Sequence, residues 1–315
     1  MSPGPVALAE LHVHVEGTAP PALLRRIARR NGLEVPPELI GAGDRYAWRD
    51  FAHFLELYDT ATGVMRTVED YRDVVYEYLV STGAQYVELT ASPDHAAAAG
   101  LSDAEHAFAI GRGIDDARLE TGVEAAIIMT AVRDRGPEAA EEVARRAVAL
   151  HHPRVVGFGL AGNESDHPPE RFARAFAVAH EGGLGCTVHA GEWGGPDAVR
   201  AALELPGVTR LGHCVRAAED PALVAELAER GTVLEVCPTA NVVLGVYPSY
   251  AQHPLRALFD AGVRVTLGSD DPPYWGTTLG GEYDVVLQPS GFNKARPATV
   301  TQTALRARFP PAPAA

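Results

Sequence analysis

Residues Thr209–Val236 read TRLGHCVRAAEDPALVAELAERGTVLEV: a strand, a helix and a second strand in direct succession. The runs Thr209–His213 and Thr232–Val236 lack strict polar alternation, as strands covered on both faces do. Between them, Pro221–Arg230 has helical spacing, and Gly231 stands just past its end as a stop signal. The same unit recurs outward from here. Strands are expected at Ala9–Val13, Gln85–Thr90, Glu124–Thr130, Val155–Leu160, Cys186–His189 and Arg264–Gly268, with helical segments such as Pro137–Leu150 and Pro169–Glu181 among them. Eight strands alternating with helices predict an α/β fold, a (β/α)8 TIM barrel. An open doubly wound sheet is the alternative, and strand count alone does not exclude it.

The chain has 315 residues, which fits one barrel domain spanning 1–315. Its net charge of −14 lacks the basic footprint of a nucleic-acid binder. No run approaches the roughly 18 apolar residues of a membrane span, and MSPGPVALAE has no secretory pattern. Three cysteines (Cys186, Cys214 and Cys237), none in a CxxC pair, suit a reduced, cytoplasmic chain. Residues from about 15 to 83 hold several helical segments and predict a helical insertion after the first strand. One of them, Trp48–Thr62, sets Trp48, Phe51, Leu55 and Tyr58 on one stripe with Phe54 beside it, either as core packing or as an apolar lid. The tail, 308–315, is expected to fray.

The chemistry lies in the residues that end the strands. His12 and His14 are two apart, so both imidazoles point to one face, as a metal pair requires. The fifth strand ends in His189-Ala190-Gly191-Glu192, the sixth in Gly212-His213-Cys214, and the eighth in Gly268-Ser269-Asp270-Asp271. In a barrel these ends meet on the face that carries active sites. Imidazoles with one carboxylate suit zinc and leave a place for water.

Competing signals are weaker. Gly157–Gly162 is a literal GxGxxG, but no helical sequence opens inside it, so it reads as flat backbone brought near a ligand. The HxE…PCxxC signature of cytidine-type deaminases is absent. Lys294 is the only lysine, which leaves no carboxylated lysine on the fourth strand to bridge two metals. One metal per chain is therefore expected.

Together LHVHVEG (Leu11–Gly17), GFGLAGNE (Gly157–Glu164), HAGE (His189–Glu192), LGHC (Leu211–Cys214) and GSDDP (Gly268–Pro272) resemble, in order, the motifs of the adenosine/adenine deaminases. The resemblance implies a single zinc on His12, His14, His189 and Asp270. It implies that Glu192 donates a proton to purine N1 and that His213 orients the attacking water. Asp271 would hold N7, the Gly162 amide would meet N3, and His14 and Glu16 would line the substrate side. Glu192 can act so only when protonated, which burial would favour.

Adenosine deaminases usually have HxHxDG, whereas this chain has Glu16. Glutamate there is similar to the adenine deaminases and to the aminodeoxyfutalosine deaminases of menaquinone biosynthesis. ELTASPDHAA (Glu88–Ala97) and DDPPYWGT (Asp270–Thr277) look more like the latter, with small residues permitting a bulky 5′ group. The favoured expectation is thus a zinc-dependent hydrolytic deaminase of a 6-aminopurine nucleoside. Adenine deamination, mononuclear hydrolysis of another cyclic C–N substrate, and a non-catalytic purine-binding relative are the alternatives. The last would predict a lost Glu192 or zinc ligand, and none is missing.

Overall fold

The computed structural model describes residues 8–287 and 295–311. Lys294 lies outside them. The eight expected strands form one parallel sheet: β1 (Leu8–His14), β2 (Ala84–Ala91), β3 (Glu124–Val132), β4 (Val155–Ala161), β5 (Gly185–Ala190), β6 (Val208–His213), β7 (Val233–Val236) and β8 (Arg264–Leu267). Each pairs with its sequence neighbour. Just beyond β8, Asp270 pairs with Val13: the His14 N–H donates to the Asp270 carbonyl at 3.0 Å, and the Asp270 N–H donates to the His12 carbonyl at 3.1 Å. This junction brings the last strand end against the first. The fold is the (β/α)8 barrel, not an open sheet.

After β1 come a 3-10 turn (Glu16–Thr18), α1 (Pro21–Arg30), a two-residue hairpin (Ile40–Gly41 with Arg45–Tyr46), α2 (Phe51–Thr62) and α3 (Val68–Thr82). Helix α2 begins at Phe51 rather than Trp48, because the Asp50 side chain accepts the His53 N–H and caps it. Helix α3 opens on a capping box of Thr67 and Asp70. It packs along the helix Asp103–Thr121, as successive helices of a barrel's outer ring do. The α2 stripe has both roles. Phe54 and Leu57 are buried in the core, while Phe51, Phe54, Leu55 and Tyr58 line a cavity at the barrel mouth.

The start of the tail does not fray. Phe309 is buried, its N–H donates to Glu88 at 2.8 Å, and the Arg210 guanidinium lies 3.6 Å above its ring. Burial of an aromatic ring and a cation–π contact hold this segment at the barrel bottom. Residues 312–315 lie outside the described residues. Phe309 also explains the first glycine of the GxGxxG: a Cβ at Gly157 would come 2.7 Å from its ring. That motif continues β4 and opens no helix, with Gly162 at a φ of +104°. Among the described residues, no helix is long and apolar enough to cross a membrane.

Candidate active site

His12 and His14 leave β1 toward the barrel axis, and His189 reaches it from β5. Asp270 arrives through the β1–β8 junction. One ligand atom from each of the four lies within 4.8 Å of the others. The Nε2 atoms of His14 and His189 are 3.2 Å apart, and Asp270 Oδ1 is 3.2 Å from His14 Nε2 and 3.5 Å from His12 Nε2.

The surroundings aim these atoms at a shared cation. His12 Nδ1 is 3.0 Å from the Glu235 carboxylate, so it carries the proton and leaves the Nε2 lone pair inward. His189 Nδ1 likewise donates to the Leu160 carbonyl at 3.1 Å. His12 Nε2 is buried and has no hydrogen-bond partner. Burial opposes charge on His12, but Asp270 and Glu235 outweigh it and raise its pKa to about 10. A cation bound here would supply that positive charge in place of a second proton on the ring, freeing Nε2 to ligate. Burial among three other imidazoles pushes the His189 pKa well below its usual value, which keeps it a neutral donor. Three imidazole nitrogens and one carboxylate are a donor set that fits zinc. Trp275 Nε1 donates to the second Asp270 oxygen at 3.2 Å, which aims Oδ1 at the histidines.

Around this cluster stand Glu192, from the loop after β5, and His213, which ends β6. Burial, with the Asp270 and Glu164 charges adding to it, raises the Glu192 pKa well above its usual value, which favours the protonated carboxyl. Burial, added to by His12, lowers the His213 pKa to about 3 and keeps it neutral. Burial beside Asp270 raises the Asp271 pKa well above its usual value. Asp271 Oδ1 is buried without a hydrogen-bond partner. Glu16 is also buried and accepts the Ser92 N–H at 2.9 Å. His213 and Asp270 hold left-handed backbone, with φ of 56° and 62°, a strain that concentrates where side chains must be re-aimed.

His14, Glu16, Gly162, His189, Glu192, His213, Asp270 and Asp271 all line the cavity at the barrel mouth, and His12 lies directly beneath. The site thus draws on residues from β1 to the turn after β8. Ser92 and His95, from the small-residue run near Glu16, line this cavity together with Tyr58 and Asp59. Tyr58 packs against His95 there, with ring centroids 5.8 Å apart, and His95 Nε2 is 3.0 Å from Asp59 on α2. Trp275 lines the cavity beside the aromatic side chains of α2.

Three functional neighbours had no sequence signal strong enough to find them. Glu164 accepts the successive N–H groups of Gly191, Glu192 and Trp193. Glu235 supports His12 from the middle of β7. Asn241, in the helix Pro238–Val243 after β7, donates to Glu192 Oε1 at 3.0 Å and faces His213 Nδ1 at 3.2 Å. Glu164 sits in a quoted motif, but its acceptor role depends on a loop that follows it by 27 residues.

The comparisons with known proteins agree with this geometry. A profile of the adenosine deaminase family matches residues 7–315. The chain is 46% identical over 304 residues to an adenine deaminase of Chelativorans sp. (strain BNC1), covering 96% of this chain and 93% of that one. It is 44% identical, with the same coverage, to an adenine deaminase of Agrobacterium fabrum. The crystal structure of an adenine deaminase from Arthrobacter aurescens superposes with a TM-score of 0.91 at 30% identity, covering 97% of this chain and 94% of that one. With eight strand ends converging on a buried histidine–aspartate cluster and a family match along nearly its whole length, the chain belongs to the adenosine deaminase family of hydrolytic deaminases.

Proposed function

We propose that this chain is a zinc-dependent adenine deaminase with one zinc per chain, converting adenine and water to the 6-oxo base and ammonia. The observation that carries this reading is the buried Glu16, which lines the same cavity as His14 and Asp271. Free adenine has an N–H at the edge where a nucleoside carries its sugar. A buried carboxyl facing that edge would favour the free base. The likeness to chains named adenine deaminase supports the same choice over the nucleoside expected from the Glu88–Ala97 and Asp270–Thr277 runs.

A zinc ion held by His12, His14, His189 and Asp270 would acidify a water molecule to a pKa of about 7. The protein side chains do the rest. His213 holds the attacking oxygen. As the C6–O bond forms, the C6–N1 π pair moves onto N1, which takes the proton from Glu192. Asp271, kept protonated, donates to N7, and the Gly162 N–H meets N3. The C6–N6 bond then breaks: the amino group leaves as ammonia with one proton of the attacking water, and the other proton returns to Glu192 as C6–OH becomes C6=O.

Ammonia release should be measured side by side from adenine, adenosine, 5′-methylthioadenosine and aminodeoxyfutalosine. A site that hydrogen-bonds a substrate N–H rejects an analogue lacking it by about 10⁴–10⁵ in kcat/KM. A preference for adenosine or for either 5′-modified nucleoside would replace adenine with a nucleoside substrate.

A further inference from the structure

Asn241 is fully buried, and all its hydrogen-bonding capacity faces the catalytic groups or one histidine behind them. Its Oδ1 is 3.2 Å from His253 Nε2. His253 in turn accepts the Leu255 backbone N–H at its Nδ1, 3.2 Å away. A backbone N–H is always a donor, so Nδ1 must be the bare nitrogen and Nε2 must carry the hydrogen. Burial lowers the His253 pKa to about 4, which keeps the ring singly protonated at neutral pH. The donor at Nε2 requires an oxygen opposite it. The amide therefore has one orientation, with its NH2 toward the active site.

That NH2 has two hydrogens and two acceptors in reach, Glu192 Oε1 at 3.0 Å and His213 Nδ1 at 3.2 Å. Each contact has a consequence for where a proton can sit. An Oε1 that accepts from Asn241 is the carbonyl-type oxygen, so the acidic proton of Glu192 resides on Oε2. An Nδ1 that accepts from Asn241 is bare, so His213 carries its hydrogen on Nε2. We infer that Asn241 is a positioning residue which places both protons at once: it puts the acid proton of Glu192 on Oε2 and the imidazole proton of His213 on Nε2, with His253 setting its own orientation.

The consequence is that the two groups cannot trade a proton with each other. Glu192 Oε1 and His213 Nδ1 are 3.4 Å apart, close enough to share one directly. Asn241 occupies both facing atoms with its own hydrogens. The proton of Glu192 is then held for the substrate, and the His213 N–H is held for the attacking oxygen. The inference rests on the roles proposed above for these two residues. It does not depend on whether the substrate is adenine or a nucleoside.

The test uses the zinc-reconstituted enzyme. Asn241→Asp keeps the shape and removes both hydrogens. It should lower kcat by about 100-fold or more, within the range for a lost general acid, with KM and zinc content little changed. His253→Gln can still donate to Oδ1 and should stay within a few-fold of the parent. His253→Leu removes that donor, leaves the amide orientation unset, and should lose activity toward the level of Asn241→Asp. Nitrogen-15 NMR of histidine-labelled protein should show His213 as the Nε2–H tautomer in the parent and as the Nδ1–H tautomer or the doubly protonated ring in Asn241→Asp. An unchanged His213 tautomer, or equal losses in His253→Gln and His253→Leu, would overturn the inference. The His253 pair decides it if Asn241→Asp does not fold. An active Glu192→Gln enzyme would instead refute the acid role of Glu192, and the NMR reading would still report on Asn241.

Discussion

Glu164 accepts the backbone N–H of Glu192 at 3.0 Å, so one carboxylate fixes the main chain from which another projects its side chain into the cavity. Its two oxygens also take the N–H groups of Gly191 and Trp193. The loop after β5 thus has three consecutive donors satisfied by one buried side chain. A fully buried acid needs this kind of support, because a misplaced donor slows proton transfer more than it weakens binding.

Glu164→Gln turns one acceptor oxygen into a donor facing backbone N–H groups. Its kcat should fall by about 10- to 100-fold, and amide exchange at Gly191–Trp193 should accelerate. Glu192→Gln should lose about 10²–10⁴ in kcat while keeping a rigid loop and full zinc content. Hydrogen exchange with mass spectrometry separates the two. Unchanged exchange in Glu164→Gln would remove its role in holding the loop.

Gly17 packs on Asp271, and a Cβ there would lie 1.7 Å from Asp271 Oδ1. Gly17→Ala must therefore push Asp271 out of place without touching a proposed zinc ligand. A displacement of about 1 Å should lower kcat/KM by roughly 100-fold. Steady-state kinetics with metal analysis checks it, and a near-normal kcat/KM would show that Asp271 does not hold the base.

Chelation should abolish activity, and zinc should restore it at about one equivalent per chain, because four donor groups converge on one point. Full activity reached only at two equivalents would exclude the mononuclear site.

Glu282 is buried, accepts the Thr239 N–H at 3.0 Å and the Thr277 hydroxyl at 2.6 Å, and has its pKa raised by burial to about 7. The folded state therefore binds this proton more tightly than the unfolded chain does. Its contribution is complete below about pH 4.5 and is lost as pH rises through about 7, amounting to at most about 3 kcal/mol. Glu282→Gln should be more stable than the parent at pH 8 and no more stable at pH 5. Urea unfolding at both values measures this, and parallel pH profiles would show that Glu282 does not titrate in this window.

The strand runs and the helices between them were readable because apolar patterning is local: each run carries its own signal within a few residues. The same holds for His12 and His14, whose spacing of two places both on one face of any strand. His189, His213 and Asp270 were legible for a related reason, since each ends a strand and a parallel barrel gathers its strand ends. Partners and fillings were not legible in this way. Asn241 meets Glu192 across 49 residues, and nothing in Pro238-Thr239-Ala240-Asn241 marks it as more than a loop helix. Phe309 reads as part of a proline-rich tail until Glu88 and Arg210 stand above it. The small residues of Glu88–Ala97 gave no sign that α2 would pack Tyr58 against His95 beside them. Patterning along the chain is set by backbone geometry, whereas the neighbour of a side chain depends on how the barrel closes and which distant segment packs on it.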